Sequence, residues 1–164
     1  CISRVEQFIK DVPYCSSLTF IITMNNLNIV NLKKLLKYIL YLRKTYTKTY
    51  QRVWFDTPLL YTPDWQSMQI LPNSYSICLE ECIEYMNDNL DEMHGFKDYE
   101  VLKMQRDLAW MIKGTGDVER KRADFYKFFS EHDRRRKTNF EETFLQMREF
   151  WDECKYHATK RHEN

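Results

Sequence analysis

Two short apolar runs flanking one amphipathic stretch set the tightest limit on how this chain folds. Leu18-Thr-Phe-Ile-Ile-Thr-Met24 is a β-rich run without polar alternation, the pattern of a strand covered on both faces, as in a parallel sheet under helices. Between about residues 29 and 46, Leu32, Leu35, Leu36, Ile39, Leu40 and Leu42 recur at helical spacing and make one broad apolar face. Arg52-Val-Trp-Phe-Asp-Thr57 then reads as a second short strand, stopped by Pro58. Ahead of the first strand, Ile2, Val5, Phe8 and Ile9 run at helical spacing as if an element had been cut into, and Pro13 stops that helix. Helix, strand, helix and strand in succession read as consecutive units of a parallel α/β sheet or barrel. Two strands cannot close a barrel, and the edge they leave is a liability. The expectation is marginal stability or association for the chain by itself.

Everything beyond Pro58 reads differently. Residues 58–72 form a long connector rich in Trp, Tyr and Met, and connectors of that length usually carry a function or a binding surface. From Asn73 onward the pattern is helical. Asn73 or Ser74 caps a helix bearing Cys78, Leu79, Cys82, Ile83 and Met86, and a polar break spans Asn87 to Gly95. Asp98 caps a helix with Val101, Met104, Leu108, Met111 and Ile112, which Gly114 ends. Asp117 caps the next, with Phe125, Tyr126 and Phe129. Thr138 and Glu141 have capping-box spacing ahead of Phe140, Phe144, Met147, Phe150, Trp151 and Cys154. Asn28 or Asn31 is the expected cap of the helix after the first strand. The fold class expected is α/β, then mainly α, with a division between residues 1–72 and 73–164.

Composition excludes several classes. With 25 Lys+Arg against 24 Asp+Glu, the formal net charge of +1 creates no field to draw in nucleic acid or an anionic membrane. Three Gly and four Pro in 164 residues argue against disorder and against a turn-rich all-β fold. No apolar run approaches the roughly 20 residues of a membrane helix, and no signal peptide is visible. Five cysteines at wide spacing, Cys1, Cys15, Cys78, Cys82 and Cys154, point to reduced thiols in a cytoplasmic protein.

No nucleophile elbow, P-loop, dinucleotide fingerprint or zinc-protease motif is present. Cys78 and Cys82 share a helix face but lie among apolar residues, with no second ligand pair beside them. Arg134, Arg135 and Arg136 offer many donors to an anion; such a run more often pairs with nearby carboxylates, here Glu131, Asp133 and Glu141. In parallel α/β architectures ligands bind at the carboxyl ends of the strands. That rule singles out Asp56, with Thr23, Asn25 and Asn28 from the other strand end. The same residues also suit turn capping, and the two roles remain open on spacing alone.

Phe20-Ile-Ile-Thr-Met-Asn-Asn-Leu-Asn28, the helix Leu32 to Leu42, Val53-Trp-Phe-Asp-Thr-Pro58 and Ser67-Met-Gln-Ile-Leu-Pro72 resemble the closing strand-helix units of radical SAM proteins, of the twitch-domain-containing kind found in phage and environmental sequences. Downstream, Phe96-Lys-Asp-Tyr-Glu100, Trp110-Met-Ile, Asp124-Phe-Tyr-Lys-Phe-Phe129, Asp133-Arg-Arg-Arg136, Asn139-Phe, Phe144 and Phe150-Trp are similar too. The resemblance implies the last strand-helix units of a partial (β/α)₆ barrel followed by a helical C-terminal extension, twitch-like, over residues 73–164. It implies a parent enzyme that cleaves S-adenosylmethionine at a [4Fe–4S] cluster to generate a radical on a substrate the sequence does not identify. It also implies a pocket faced by Thr23 to Asn25, Asn28, and Phe55, Asp56 and Pro58.

Family members hold the cluster in a C-x₃-C-x₂-C loop, and no such triplet stands in this chain. The resemblance therefore implies that the partner of this chain is the N-terminal barrel half of the same protein, which would carry the cluster, and that the chain alone is inactive. The competing reading is a non-enzymatic module that binds a protein partner through the aromatic loop 59–70, with the Arg134–Arg136 run contributing. A nucleic-acid binder is the weakest reading, given the charge balance.

Overall fold

The computed structural model describes residues 2–12 and 17–160. Expectations that rest on Cys1, Pro13, Cys15 or the tail beyond Lys160 fall outside these residues. The first part is α1 (Ile2–Asp11), β1 (Leu18–Ile21), α2 (Leu32–Tyr46) and β2 (Val53–Asp56). The strands pair in parallel, in register from Leu18 opposite Val53 to Ile21 opposite Asp56. The expected first strand is shorter than its apolar run. Past Ile21 the Met24 N–H still donates to the Pro58 carbonyl at 2.7 Å, but the Thr23 carbonyl is already taken by the side chains of a turn.

Side chains alternate across a strand, so the register sorts the sheet into two faces. Leu18, Phe20, Val53 and Phe55 lie under α2, with Val53 buried and Arg43 of α2 over the Phe55 ring. Thr19, Ile21, Trp54 and Asp56 point the other way, and Ile21 is 73% exposed. α1 lies in the helix layer: the hydroxyls of Tyr41 and Tyr46 on α2 donate to Glu6 at 3.4 and 3.1 Å. Among the described residues, then, helices cover one face of the sheet and leave the other open.

The rest is helical, in α3 (Ser76–Asn87), α4 (Asp98–Lys113), α5 (Val118–Arg136), α6 (Phe140–Thr143) and α7 (Arg148–Lys160). The periodicity reading holds for the buried faces: Leu79, Cys82 and Met86 on α3, Val101, Met104 and Met111 on α4. One hydrophobic core runs from Leu36 and Ile39 through Leu79 and Met104 to Phe125 and Phe150, across the boundary drawn at residue 72. Aromatic residues dominate its C-terminal part, where Phe140 stacks on Trp151 at 4.4 Å and Phe125 meets Phe150 at 5.1 Å.

Several caps differ from expectation. Asn28 and Asn31 make no cap bond to α2; the Asn28 carboxamide accepts from the Asn25 N–H instead. α4 starts at Asp98, and its first N–H groups are met by Glu100, whose carboxylate accepts from the Lys97 N–H at 3.0 Å. Asp117 does not cap α5 but pairs with Arg120 at 2.7 Å. The cap of α6 is Asn139, accepting from the Glu142 N–H, rather than Thr138. Neither Asn73 nor Ser74 caps α3, because a 3-10 turn over Asn73–Tyr75 leads into it. Gly114 does end α4, at a φ of 68° that favours glycine.

The connector 58–72 is not a free surface. Met68, Ile70 and Leu71 are buried in it, Trp65 packs on Phe128 at 4.5 Å, and Arg122 of α5 donates to the Ile70 carbonyl at 2.7 Å. Tyr61 is its one strongly exposed aromatic residue.

Candidate functional site at the strand ends

The carboxyl ends of β1 and β2 lie side by side because the strands are parallel and in register. After β1, Asn25 and Asn28 close a turn by mutual hydrogen bonds. The Asn25 Oδ1 accepts from the N–H groups of Leu27 and Asn28, and both side-chain amides donate to the Thr23 carbonyl, at 3.2 and 2.7 Å. These two asparagines thus hold backbone, while the exposed Thr23 side chain stands on the open side of the strand end. Asn26, between them, is fully buried; its N–H donates to the Gln66 carbonyl and its amide to the Trp65 carbonyl at 3.0 Å. It ties the turn to the aromatic connector.

After β2, Asp56 lies on the open face and accepts from the Thr57 N–H at 3.0 Å and from the Lys103 ammonium. The Lys103 hydrogen bond holds its carboxyl below the usual aspartate range. Thr57 is buried, and its hydroxyl donates to Asp107 at 2.7 Å. Asp107 is 4% exposed, and burial pushes its carboxyl up, opposed by the Thr57 hydroxyl and by the Lys103 and Arg106 charges. Pro58 contributes its carbonyl to Met24. Phe55 points into the helix side, edge-on to Phe96 at 6.1 Å, so of its groups only the backbone lies at the strand end.

Glu100, Lys103 and Asp107 therefore form a polar seam along α4, at spacings that put all three on one side of the helix. Each serves β2. Glu100 takes a two-pronged pair from Arg43 at 2.7 and 2.9 Å, while the Arg43 Nε donates to the Val53 carbonyl at 2.9 Å. Arg43 also donates to the Gly95 carbonyl at 2.8 Å, and its side chain is fully buried. Lys103 and Asp107 were not singled out from sequence. The signal was there: charges recurring at 100, 103 and 107 beside the apolar face of Val101, Met104, Leu108 and Met111.

Arg134 and Arg135 do not stand ready for an anion. Both clamp Glu131, Arg134 with two bonds of 2.7 Å, and hold its carboxyl down to about 2. All three arginines are exposed on the last turn of α5. Of the thiols, Cys82 and Cys154 are buried, and burial pushes Cys82 up to about 12 and Cys154 upward too. Among the described residues no three His, Cys, Asp or Glu side chains are grouped to hold a metal. These thiols do not fit the ligand set of a [4Fe–4S] cluster, which needs accessible thiolates. Also among the described residues, no helix is long and apolar enough to cross a membrane.

No family model matches the chain, and no curated protein or solved structure matches it.

Proposed function

We propose that this chain is the closing part of a radical SAM enzyme, and that its strand ends form one wall of the pocket for S-adenosylmethionine and substrate. The observation that carries the reading is the one-sided layering of the β1–α2–β2 unit. A parallel strand pair with α1 and α2 together on one face is the arrangement of a strand-helix barrel, in which helices lie outside and the other face looks inward. A doubly wound sheet would place helices on both faces. On this reading Thr19, Ile21, Trp54 and Asp56 face the barrel interior, and Thr23 and Asp56 stand at its carboxyl-end mouth.

The cluster is not held by this chain. It belongs to the N-terminal barrel half of the same protein, where it would supply the electron that cleaves S-adenosylmethionine. What this chain's residues do is bind and orient. Asp56, ionised and steadied by Lys103, offers a carboxylate to a cationic group of the ligand. The Asn25–Asn28 turn fixes the height of Thr23. The helices beyond residue 73 pack against the barrel rather than line its interior.

The alternative module, binding a protein through loop 59–70, is disfavoured by that loop's spending Met68, Ile70 and Leu71 on the core. The test is to express the protein with the residues its gene encodes upstream, reconstitute it with iron and sulfide without oxygen, and look for reductive cleavage of S-adenosylmethionine. Cleavage that requires an upstream C-x₃-C-x₂-C motif supports the reading. No such motif within roughly 150 residues, about one domain, would sink it.

A further inference from the structure

The two edges of the strand pair differ in kind. In a parallel strand the N–H and C=O of one residue point to the same side. The bonds from Leu18, Ile22 and Met24 to the β2 side show that the even-numbered residues of β1 face β2. The odd ones, Thr19, Ile21 and Thr23, face outward. Of these only Thr23 has its carbonyl occupied, by the two asparagines. The backbone groups of Thr19 and Ile21 have no partner among the described residues, and the Ile21 side chain beside them is largely in solvent.

The outward edge of β2 is blocked instead. The Val53 carbonyl accepts from both Arg43 and Gln51, at 2.9 and 3.0 Å. The Thr57 N–H is taken by Asp56 and its hydroxyl by Asp107. The seam of α4 lies along this side, and a buried ion pair anchors it. A strand approaching β2 would have to break Arg43 from Glu100 and strand two charges in the core, which costs several kcal/mol per ion.

The helix layer points the same way. α2 is the crossover that carries the chain from β1 to β2. α1 lies beside α2 in that layer and leads into β1, the place of a crossover arriving from a strand on β1's outer side. We propose that the sheet grows only at β1: a further strand of the same polypeptide, joined through α1 and running parallel to β1, pairs with Thr19 and Ile21, while β2 is a terminal strand that α4 keeps from pairing. This deepens the barrel reading by fixing which side the rest of the barrel occupies, but it rests on edge chemistry and not on radical chemistry.

The test is amide hydrogen exchange on two lengths of the protein, the 164-residue chain and the same chain extended upstream by its natural sequence, roughly 30 residues or about one strand-helix unit. In the short form the Thr19 and Ile21 amides should exchange fast beside protected Phe20 and Ile22 amides. In the long form Thr19 and Ile21 should slow by about 100-fold or more, with the Phe55 amide on the β2 edge unchanged. Protection appearing at Phe55 instead, or at neither edge, would overturn the proposal. If the short form does not fold, the extended protein decides alone: fast odd-numbered amides beside slow even-numbered ones in β1 contradict it. An extended protein that protects Thr19 and Ile21 yet cleaves no S-adenosylmethionine would leave the strand addition standing and the radical reading fallen.

Discussion

The two faces of the β1–β2 pair are built from opposite chemistry, although their residues alternate along the same eight positions. On the helix side every charge is answered: Arg43 makes four hydrogen bonds, to Val53, Gly95 and both oxygens of Glu100. On the open side an isoleucine is in water and an aspartate meets a lysine that is itself a third exposed. The lesson is that stability and function are segregated here. Substitutions on the closed side should unfold the chain, and those on the open side should leave it folded and disable what it meets.

The largest effect should come from Arg43→Met, which leaves Glu100 buried without its partner. We expect a loss of about 3–5 kcal/mol, seen as a lower midpoint in urea at unchanged slope. Arg134→Met, which removes an exposed ion pair with Glu131, should cost less than about 1 kcal/mol; equal losses would erase the contrast. Phe125→Ala, in the aromatic core of the helical part, should cost on the order of 3–5 kcal/mol. Next comes Gly95→Ala, since an added Cβ would sit 2.3 Å from the Asn89 carbonyl oxygen. That forced shift should cost on the order of 1–3 kcal/mol and disturb the carbonyl that Arg43 uses.

Asp107 gives a pH signature of definite sign. Its folded carboxyl titrates above the unfolded value of about 3.9, so the fold binds the extra proton. Stability should fall as pH rises from about 4 through the raised value, and stay reduced above it. Asp107→Asn should remove that slope. A wild-type chain whose stability rises over this interval relative to the variant would mean the carboxylate is not desolvated. Smallest of all, Ile21→Lys on the open face should change the stability of the 164-residue chain by no more than about 0.5 kcal/mol. A loss near that of Arg43→Met would show that the face is not open.

Much of this could be read from the sequence, and the failures share a cause. The β1–α2–β2 unit was legible because its signals are local: two apolar runs and one 3.6-residue stripe. The caps were not, since Asn28 and Asn31, Asp98, Thr138 and Asn139 crowd cap-competent side chains within a residue or two, and other partners decided among them. The seam was hidden because its meaning is tertiary. Arg43 sits in the stripe of Leu32, Leu36 and Ile39 as a charge among apolar residues, which only Glu100, 57 positions away, explains. At the strand ends, spacing put Asp56 and Thr23 on the open side but could not separate them from Asn25 and Asn28, whose side chains are spent on their own turn.

The account stands or falls on whether the open strand ends meet the ligand. Hydrogen exchange of the reconstituted full-length protein, with and without S-adenosylmethionine, measures that directly. The prediction is slowed exchange over residues 21–25 and 56–58, with residues 134–136 unchanged. Slowing at 134–136, or no change at either strand end in a protein that binds S-adenosylmethionine, would contradict it.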